Sequence, residues 1–241
     1  VVFFIAGFVD AIAGGGGLIT MPVLLLLGIP AHYTLGTGKL ASSLGSITAL
    51  ITFWKRGAVI KEVVLLGVIS SYFGAVIASA TTLLISNEKM TIIMIFLLPV
   101  AILLSLFCGT LKLTEEDLPK KGVWWRVSAI GLSVGFYEGF FGPGAGSFFL
   151  IGIHLLLKAG LVKASGTAKA FNIAANLGAV TTFASAGTLY YSLALPCAVA
   201  SILGNRLGAI YAVKIGPTLV RSMLYFVLVM LLISLITRFV I

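Results

Sequence analysis

Gly7-Phe-Val-Asp10-Ala-Ile-Ala-Gly14-Gly15-Gly16-Gly17 decides the fold, together with a matching stretch 128 residues later, Gly135-Phe-Tyr-Glu138-Gly-Phe-Phe-Gly142-Pro143-Gly144-Ala145-Gly146. Asp10 aligns with Glu138 and Gly14 with Gly142. Each glycine run interrupts an apolar segment, where a helix interior tolerates glycine poorly. Two such breaks at corresponding places predict a duplicated membrane protein with a site at each break.

The surrounding composition fits a bilayer. The chain is 60% hydrophobic and 10% charged, with a mean hydropathy of +1.17. A soluble domain carries about 25% charged residues, so this chain has too little polar surface for water. The apolar runs are too long and too many for one signal peptide. The chain opens on Val1, so a short N-terminal piece is expected ahead of it. The net charge of +9 does not indicate nucleic acid. Its basic residues are scattered at segment ends, with no basic run interleaved with aromatics. Cys108 and Cys197 both lie in apolar segments and read as small hydrophobes, with no disulfide framework or metal spacing.

A spanning helix needs roughly 20 apolar residues. Six segments meet this: 33–54, 60–84, 89–110, 165–187, 190–213 and 217–240. The glycine-broken regions, 1–29 and 127–158, have second arms too short to span. Each is either one kinked span or a hairpin returning to its own side. The loop charges discriminate. Lys39, Lys169 and Arg206 lie within segments, leaving 13 of the 16 basic residues. If both broken regions cross, Lys55, Arg56, Lys61, Lys112, Lys120, Lys121, Arg126 and Arg238 oppose Lys89, Lys158, Lys163, Lys214 and Arg221, a split of 8 to 5. If both are hairpins, only Lys89 and Arg238 oppose the rest, a split of 11 to 2. The second split obeys the positive-inside rule.

The sequence therefore predicts an all-α polytopic membrane protein of two inverted repeats, each a re-entrant helical hairpin plus three transmembrane helices. Repeat 1 covers 1–110, with hairpin 1–29. Repeat 2 covers 127–241, with hairpin 127–158. The charged linker 111–126, with Glu115, Glu116 and Asp117, is expected in the cytoplasm and both termini outside.

Past the breaks the repeat continues at an offset of 130. Gly36-Thr37-Gly38-Lys39 matches Gly166-Thr167-Ala168-Lys169; Ser42 matches Asn172, Ser46 matches Asn176 and Gly57 matches Gly187. Tyr72-Phe73-Gly74-Ala75 resembles Arg206-Leu207-Gly208-Ala209. Lys39, Ser42 and Ser46 share one helix face, as do Lys169, Asn172 and Asn176. Placed in the first turns of their helices, each set would join a lysine to free N–H groups and a positive helix end, an anion site. The glycines Gly15, Gly16, Gly17, Gly144 and Gly146 add backbone N–H groups and let a ligand approach closely. Single lysines at segment ends more often reach out to headgroups; two at matched positions favour a site. The stretch ending at Lys39 is not a P-loop, because Tyr33 and Leu40 stand where glycine and Ser or Thr belong.

Asp10 and Glu138 are acids inside apolar stretches, costly unless paired or hydrated. Pairing with Lys39 and Lys169, or capping N–H groups at the breaks, ranks ahead of carrying a coupling proton. Arg206, with Tyr72 in its place in the first half, is either a third anion contact or an interfacial anchor. His32 and His154 are expected at the membrane interface.

These motifs resemble the TauE/SafE family, also called the sulfite exporter or TSUP family, and within it the bacterial probable membrane transporter proteins. The resemblance rests on the two glycine motifs, the second extended to Ser147, on Leu35-Gly-Thr37-Gly-Lys39, and on Ala168-Lys169 with Asn172. It covers essentially the whole chain. Glu138 stands where close relatives carry Asp. The resemblance implies a secondary transporter of the inner membrane. It would move a small organosulfur or sulfur oxyanion, such as sulfite, sulfoacetate or thiosulfate, by alternating access, with export the usual direction. Thr37, Thr167, Ser147 and the lysine faces would then contact the anion. The expected partners are that anion and the lipid bilayer, with a homodimer left open; no nucleic acid, cofactor or metal is expected. An anion channel built on the same hairpins is the alternative. An intramembrane enzyme lacks a Ser/His or Cys/His pairing, and a scaffold leaves the lysines unexplained.

Overall fold

The computed structural model describes residues 1–107, 122–216, 218–219 and 222–223. The described residues form helices and connecting turns, without strands. In order they are α1 (Val2–Ala13), α2 (Gly17–Leu26), α3 (Ala31–Lys55), α4 (Lys61–Leu83), α5 (Asn87–Phe107), α6 (Val123–Phe140), α7 (Ala145–Leu157), α8 (Leu161–Ser185) and α9 (Tyr191–Ile215). Most of the expected span 217–240, most of linker 111–126 and Cys108 lie outside the described residues. Helix α6 begins at Val123, inside the stretch read as linker.

By length and composition, α4 and α9 can cross a bilayer. Helices α3 and α8, 25 residues each, are as long but carry the polar faces singled out above, and those faces are buried. The arms at the glycine breaks are shorter. At 1.5 Å per residue, the 10 residues of α2 and 13 of α7 reach about 15 and 20 Å, against a hydrocarbon core of about 30 Å.

Both broken pairs fold back on themselves. Phe3 near the start of α1 packs in one cluster with Leu24 near the end of α2. In the second pair, Arg126 in the first turn of α6 donates from Nη1 to the carbonyl of Leu156 in the last turn of α7, at 2.9 Å.

Small residues set how the helices pack. On α6, Gly131, Gly135 and Gly139 lie against Ser70, Ser71 and Ala75 of α4, so close that a Cβ at Gly135 would stand 2.8 Å from the Ser71 Cα. On α1, Gly7 lies against Ser201 and Asn205, while Gly204 and Gly208 of α9 lie against Phe4 and Phe8. Without a strong hydrophobic force between helices in lipid, such close backbone approach supplies the packing energy. These contacts also give directions. Helices α1, α3 and α9 run one way; α4, α6 and α8 run the other, with α3 and α8 crossing antiparallel through Phe53 against Gly166 and Gly36 against Phe183.

Backbone angles agree at two pairs of matched positions. Pro30 before α3 has φ −56 and ψ 149, and Gly160 before α8 has φ −57 and ψ 148. Ile60 and Tyr190, 130 residues apart, have φ/ψ of −85/89 and −92/87. Their backbone N–H groups are received across the halves: Ile60 donates to Thr167 Oγ1 at 3.0 Å, and Tyr190 to Thr37 Oγ1 at 3.1 Å.

Candidate functional site

Lys39 is eight residues after the start of α3, and Lys169 is eight after the start of α8. That puts each about 12 Å along its helix. The reading that placed them in first turns is therefore corrected: the N–H groups that open α3 and α8 are not at the lysines. The starts of α2 and α7, at the glycine breaks, are nearer. Gly17 begins α2, and a Cβ on it would stand 3.3 Å from the Pro143 Cα. A Cβ on Gly142 would stand 2.7 Å from the Lys39 Nζ.

The two glycine tips touch. Gly14, with φ 78, takes the left-handed conformation at the end of α1 and lies directly against Gly146, where no side chain fits on either. Ser147 Oγ donates to the carbonyl of Ala13 at 2.6 Å, tying the tips. Ser165 Oγ donates to the carbonyl of Ile12 at 3.0 Å. These carbonyls are at the end of α1, where no intrahelical donor is available.

Around the tips, the four buried charges pair crosswise between halves. Lys169 Nζ donates to Asp10 Oδ2 at 2.7 Å, and Lys39 Nζ to Glu138 Oε1 at 2.9 Å. Lys39 also donates to the Glu138 backbone carbonyl. Asp10 accepts from Ser46 Oγ at 3.2 Å and from the Gly16 N–H at 3.3 Å. Glu138 accepts from Asn172 Nδ2 at 3.3 Å, and Asn176 Nδ2 donates to Asn172 Oδ1 at 3.2 Å. Each carboxylate thus has a lysine from the other half and a polar partner one or two turns along a facing helix. All four charged residues are at least 92% buried. Ions taken from water at this depth persist only when paired and hydrogen bonded. Here two cations and two anions cancel.

A small cavity opens among these groups. Asp10, Lys39, Ser42, Glu138, Asn172 and Asn176 contribute its polar wall. Gly14, Gly17, Gly142, Pro143 and Gly146 form its floor, and Met21 and Leu24 of α2 its apolar side. About 30 Å³ is open to water-sized occupants, room for one or two waters.

Of the other residues singled out from sequence, Lys169 and Ser46 reach the cavity only through Asp10. Gly15 and Gly144 do not line it; Gly144 sits before α7 with φ 84. Thr37 and Thr167 do not line it either. Their hydroxyls receive the loop N–H groups of Tyr190 and Ile60, a role their helical periodicity could not reveal. Arg206 lies elsewhere, in a groove with Lys55 and Arg56. His32 and His154 are buried within the protein, and the His154 Nδ1 is 2.6 Å from the Ala159 carbonyl. Sequence reasoning missed Thr20, Thr34, Met21 and Leu24 as wall residues; all follow a glycine break within one or two helices, but their type carries no signal.

The threonine role gives a first expectation. Thr37→Val or Thr167→Val leaves one partly or wholly buried N–H unpaired and costs about 1–3 kcal/mol, measured as a shifted denaturation midpoint in detergent. A midpoint equal to the parent's in both variants would remove the loop-holding role.

No solved structure matches the chain. Sequence relatives do. The chain is 36% identical over 239 residues to the probable membrane transporter protein ORF9 of Sinorhizobium sp, covering 96% of this chain and 88% of that protein. It is 36% identical to a probable membrane transporter protein of Haemophilus influenzae, covering 91% and 86%. It is 34% identical to the probable membrane transporter protein YfcA of Escherichia coli strain K12, covering 94% and 85%. The family description "Sulfite exporter TauE/SafE" fits residues 1–235. Since that match takes in both glycine tips and both lysine faces, the chain belongs to the sulfite exporter TauE/SafE family of membrane transporters.

Proposed function

We propose that the protein is a secondary transporter that moves a small sulfur oxyanion or organosulfonate across the inner membrane, in the direction of export, by alternating access at the cavity between the glycine tips. The crossed Lys39–Glu138 and Lys169–Asp10 pairs at that cavity carry the reading. In this reading the halves are inverted repeats, 1–110 and 127–241, and each glycine-broken pair is a re-entrant hairpin. The opposite running of α1 and α6, and the fold-back of each broken pair, support it. The short arms begin where the tips meet, and inverted-repeat transporters carry such broken helices near the bilayer midplane.

The mechanism follows from charge and space. The cavity has room for a water or two, less than a sulfur with three oxygens requires, so an anion fits only if the walls move apart. An entering anion displaces a carboxylate from a lysine and takes over its charge-assisted hydrogen bonds. The paired carboxylate acts as a stand-in for the substrate, keeping the empty site neutral. A bound monoanion leaves the quartet at a net −1, and a dianion at −2, in apolar surroundings, a costly state. One proton taken up on Asp10 or Glu138 restores neutrality for a monoanion, and one on each for a dianion. A cavity of this size, smaller than the anion, favours alternating access over a channel.

Sulfite, thiosulfate, sulfoacetate and carboxylates should be screened for thermal stabilisation of the purified protein, since a ligand that binds the folded state raises its melting point. Flux of the stabilising anion is then followed in proteoliposomes. Removing one charged contact, as in Lys39→Ala or Lys169→Ala, is expected to weaken binding by about tenfold or more and to cut flux accordingly. Unchanged flux in both variants would sink the site. Single-channel current would sink the transport mode.

A further inference from the structure

A second basic site lies on the outer face of the molecule. Between α3 and α9 a groove of about 370 Å³ is lined by Thr48, Thr52, Lys55, Arg56 and Arg206, with apolar Ile51 and Ile210. No acid lines it. None of its three cations makes a hydrogen bond or ion pair among the described residues. The surrounding surface is lipid-facing in character: Ile51, Trp54, Leu203, Leu207 and Tyr211 are each 41–54% exposed.

Arg206 is the telling residue. It is exposed, nine residues before the end of α9, hence about 14 Å along the helix from that end. Its flanks Leu203 and Leu207 face outward with it. An arginine on an apolar membrane face is expensive unless an anion reaches it. Its guanidinium is suited to hold phosphate oxygens in a fork, and Lys55 and Arg56 at the end of α3 add two more charges.

The fold contains its own control. The equivalent place in the other half is formed by Thr182, Ser185 and Ala186 at the end of α8 and by Tyr72 on α4. There the Tyr72 hydroxyl lies 3.4 Å from Thr181 Oγ1, a neutral contact with no cation. Among the described residues, three cations gather at one of the two places that the sequence match makes counterparts, and none at the other.

We propose that the α3–α9 groove binds the phosphate headgroup of an anionic lipid, its acyl chains lying along the exposed leucines of α9. The phosphate sits between Arg206 and the Lys55–Arg56 pair. The groove is distinct from the central cavity, and the inference stands whatever anion the central site carries.

Native mass spectrometry of the full chain, released from detergent micelles containing phosphatidylglycerol or phosphatidylcholine, tests it. Phosphatidylglycerol is expected to be retained preferentially, and retention should fall about tenfold, the loss of one charge-assisted contact, in Arg206→Gln and in Lys55→Gln/Arg56→Gln. Tyr72→Phe should retain lipid as the parent does. The lysine–arginine double variant sits at a helix end and keeps the test open should Arg206→Gln fail to fold. Equal retention of the two lipids, or undiminished retention in the folded groove variants, overturns the proposal. Displacement of the lipid by inorganic phosphate also overturns it, in favour of a soluble anion.

Discussion

Lys169→Met is expected to lose about 3–5 kcal/mol of stability, and Asp10→Asn added to it to recover most of the loss. The reason lies in what the single change leaves behind. Lys169 is 2% exposed, and its Nζ is the cationic partner of Asp10. Without it the carboxylate keeps only the Ser46 hydroxyl and the Gly16 N–H, neither of them charged. Breaking a buried pair from one side is far costlier than removing both charges. Asparagine in the second variant accepts from the Gly16 N–H through Oδ1 and donates from Nδ2 to the Ser46 hydroxyl, so the double variant has no orphaned charge. Lys39→Met with Glu138→Gln should behave alike, with Asn172 serving the amide. Chemical denaturation in mild detergent reads both. A single variant as stable as the parent, or a double variant no better than the single, contradicts the crossed pairing. Transport should be lost in single and double variants alike, because neutrality rescues the fold without restoring the lysine an anion needs.

Gly146→Ala should nearly abolish flux although it replaces glycine in a helix, where alanine is intrinsically favoured by about 1 kcal/mol. Packing opposes that gain. The added Cβ would stand 2.6 Å from the Gly14 Cα and 2.7 Å from its carbonyl oxygen, both backbone atoms that cannot rotate away. The tips must separate, costing about 1–3 kcal/mol for overpacking and shifting the charges on both sides. Gly14→Ala meets the same obstacle, with the further strain of a left-handed backbone. Gly152→Ala on the same helix is the control: its Cβ would meet the flexible Ile130 side chain at 3.3 Å, and flux should be near normal. Flux through Gly146→Ala equal to that through Gly152→Ala would show that the tips need not touch.

The glycine breaks were legible because glycine in an apolar run conflicts with both helix propensity and packing, and the structure ends α1 at Ala13 and begins α7 at Ala145. The lysine faces were legible from period alone. Periodicity says which residues share a face but not what opposes that face, so the exchange of partners between halves could not be read. The same limit hid the roles of Thr37 and Thr167, whose partners are backbone groups more than 100 residues away. Helix starts were misplaced by charge. Arg126 was read as linker because it is basic, yet it stands in the first turn of α6 and holds the end of α7. Pro30 and Gly160 begin α3 and α8 earlier than hydropathy suggested, moving the lysines away from the N-termini.

The exchange of partners has a consequence for biosynthesis. The amino-terminal half enters the membrane carrying Asp10 and Lys39, while Glu138 and Lys169 are still to be made. At about 5–20 residues per second, the gap of 159 residues between Asp10 and Lys169 leaves the aspartate without its final partner for roughly ten to thirty seconds. During that interval the nascent half must shelter one acid and one base, by pairing them with each other or by leaving them at the water boundary. The crossed pairs can therefore form only late, once the second glycine-broken pair and α8 have been made.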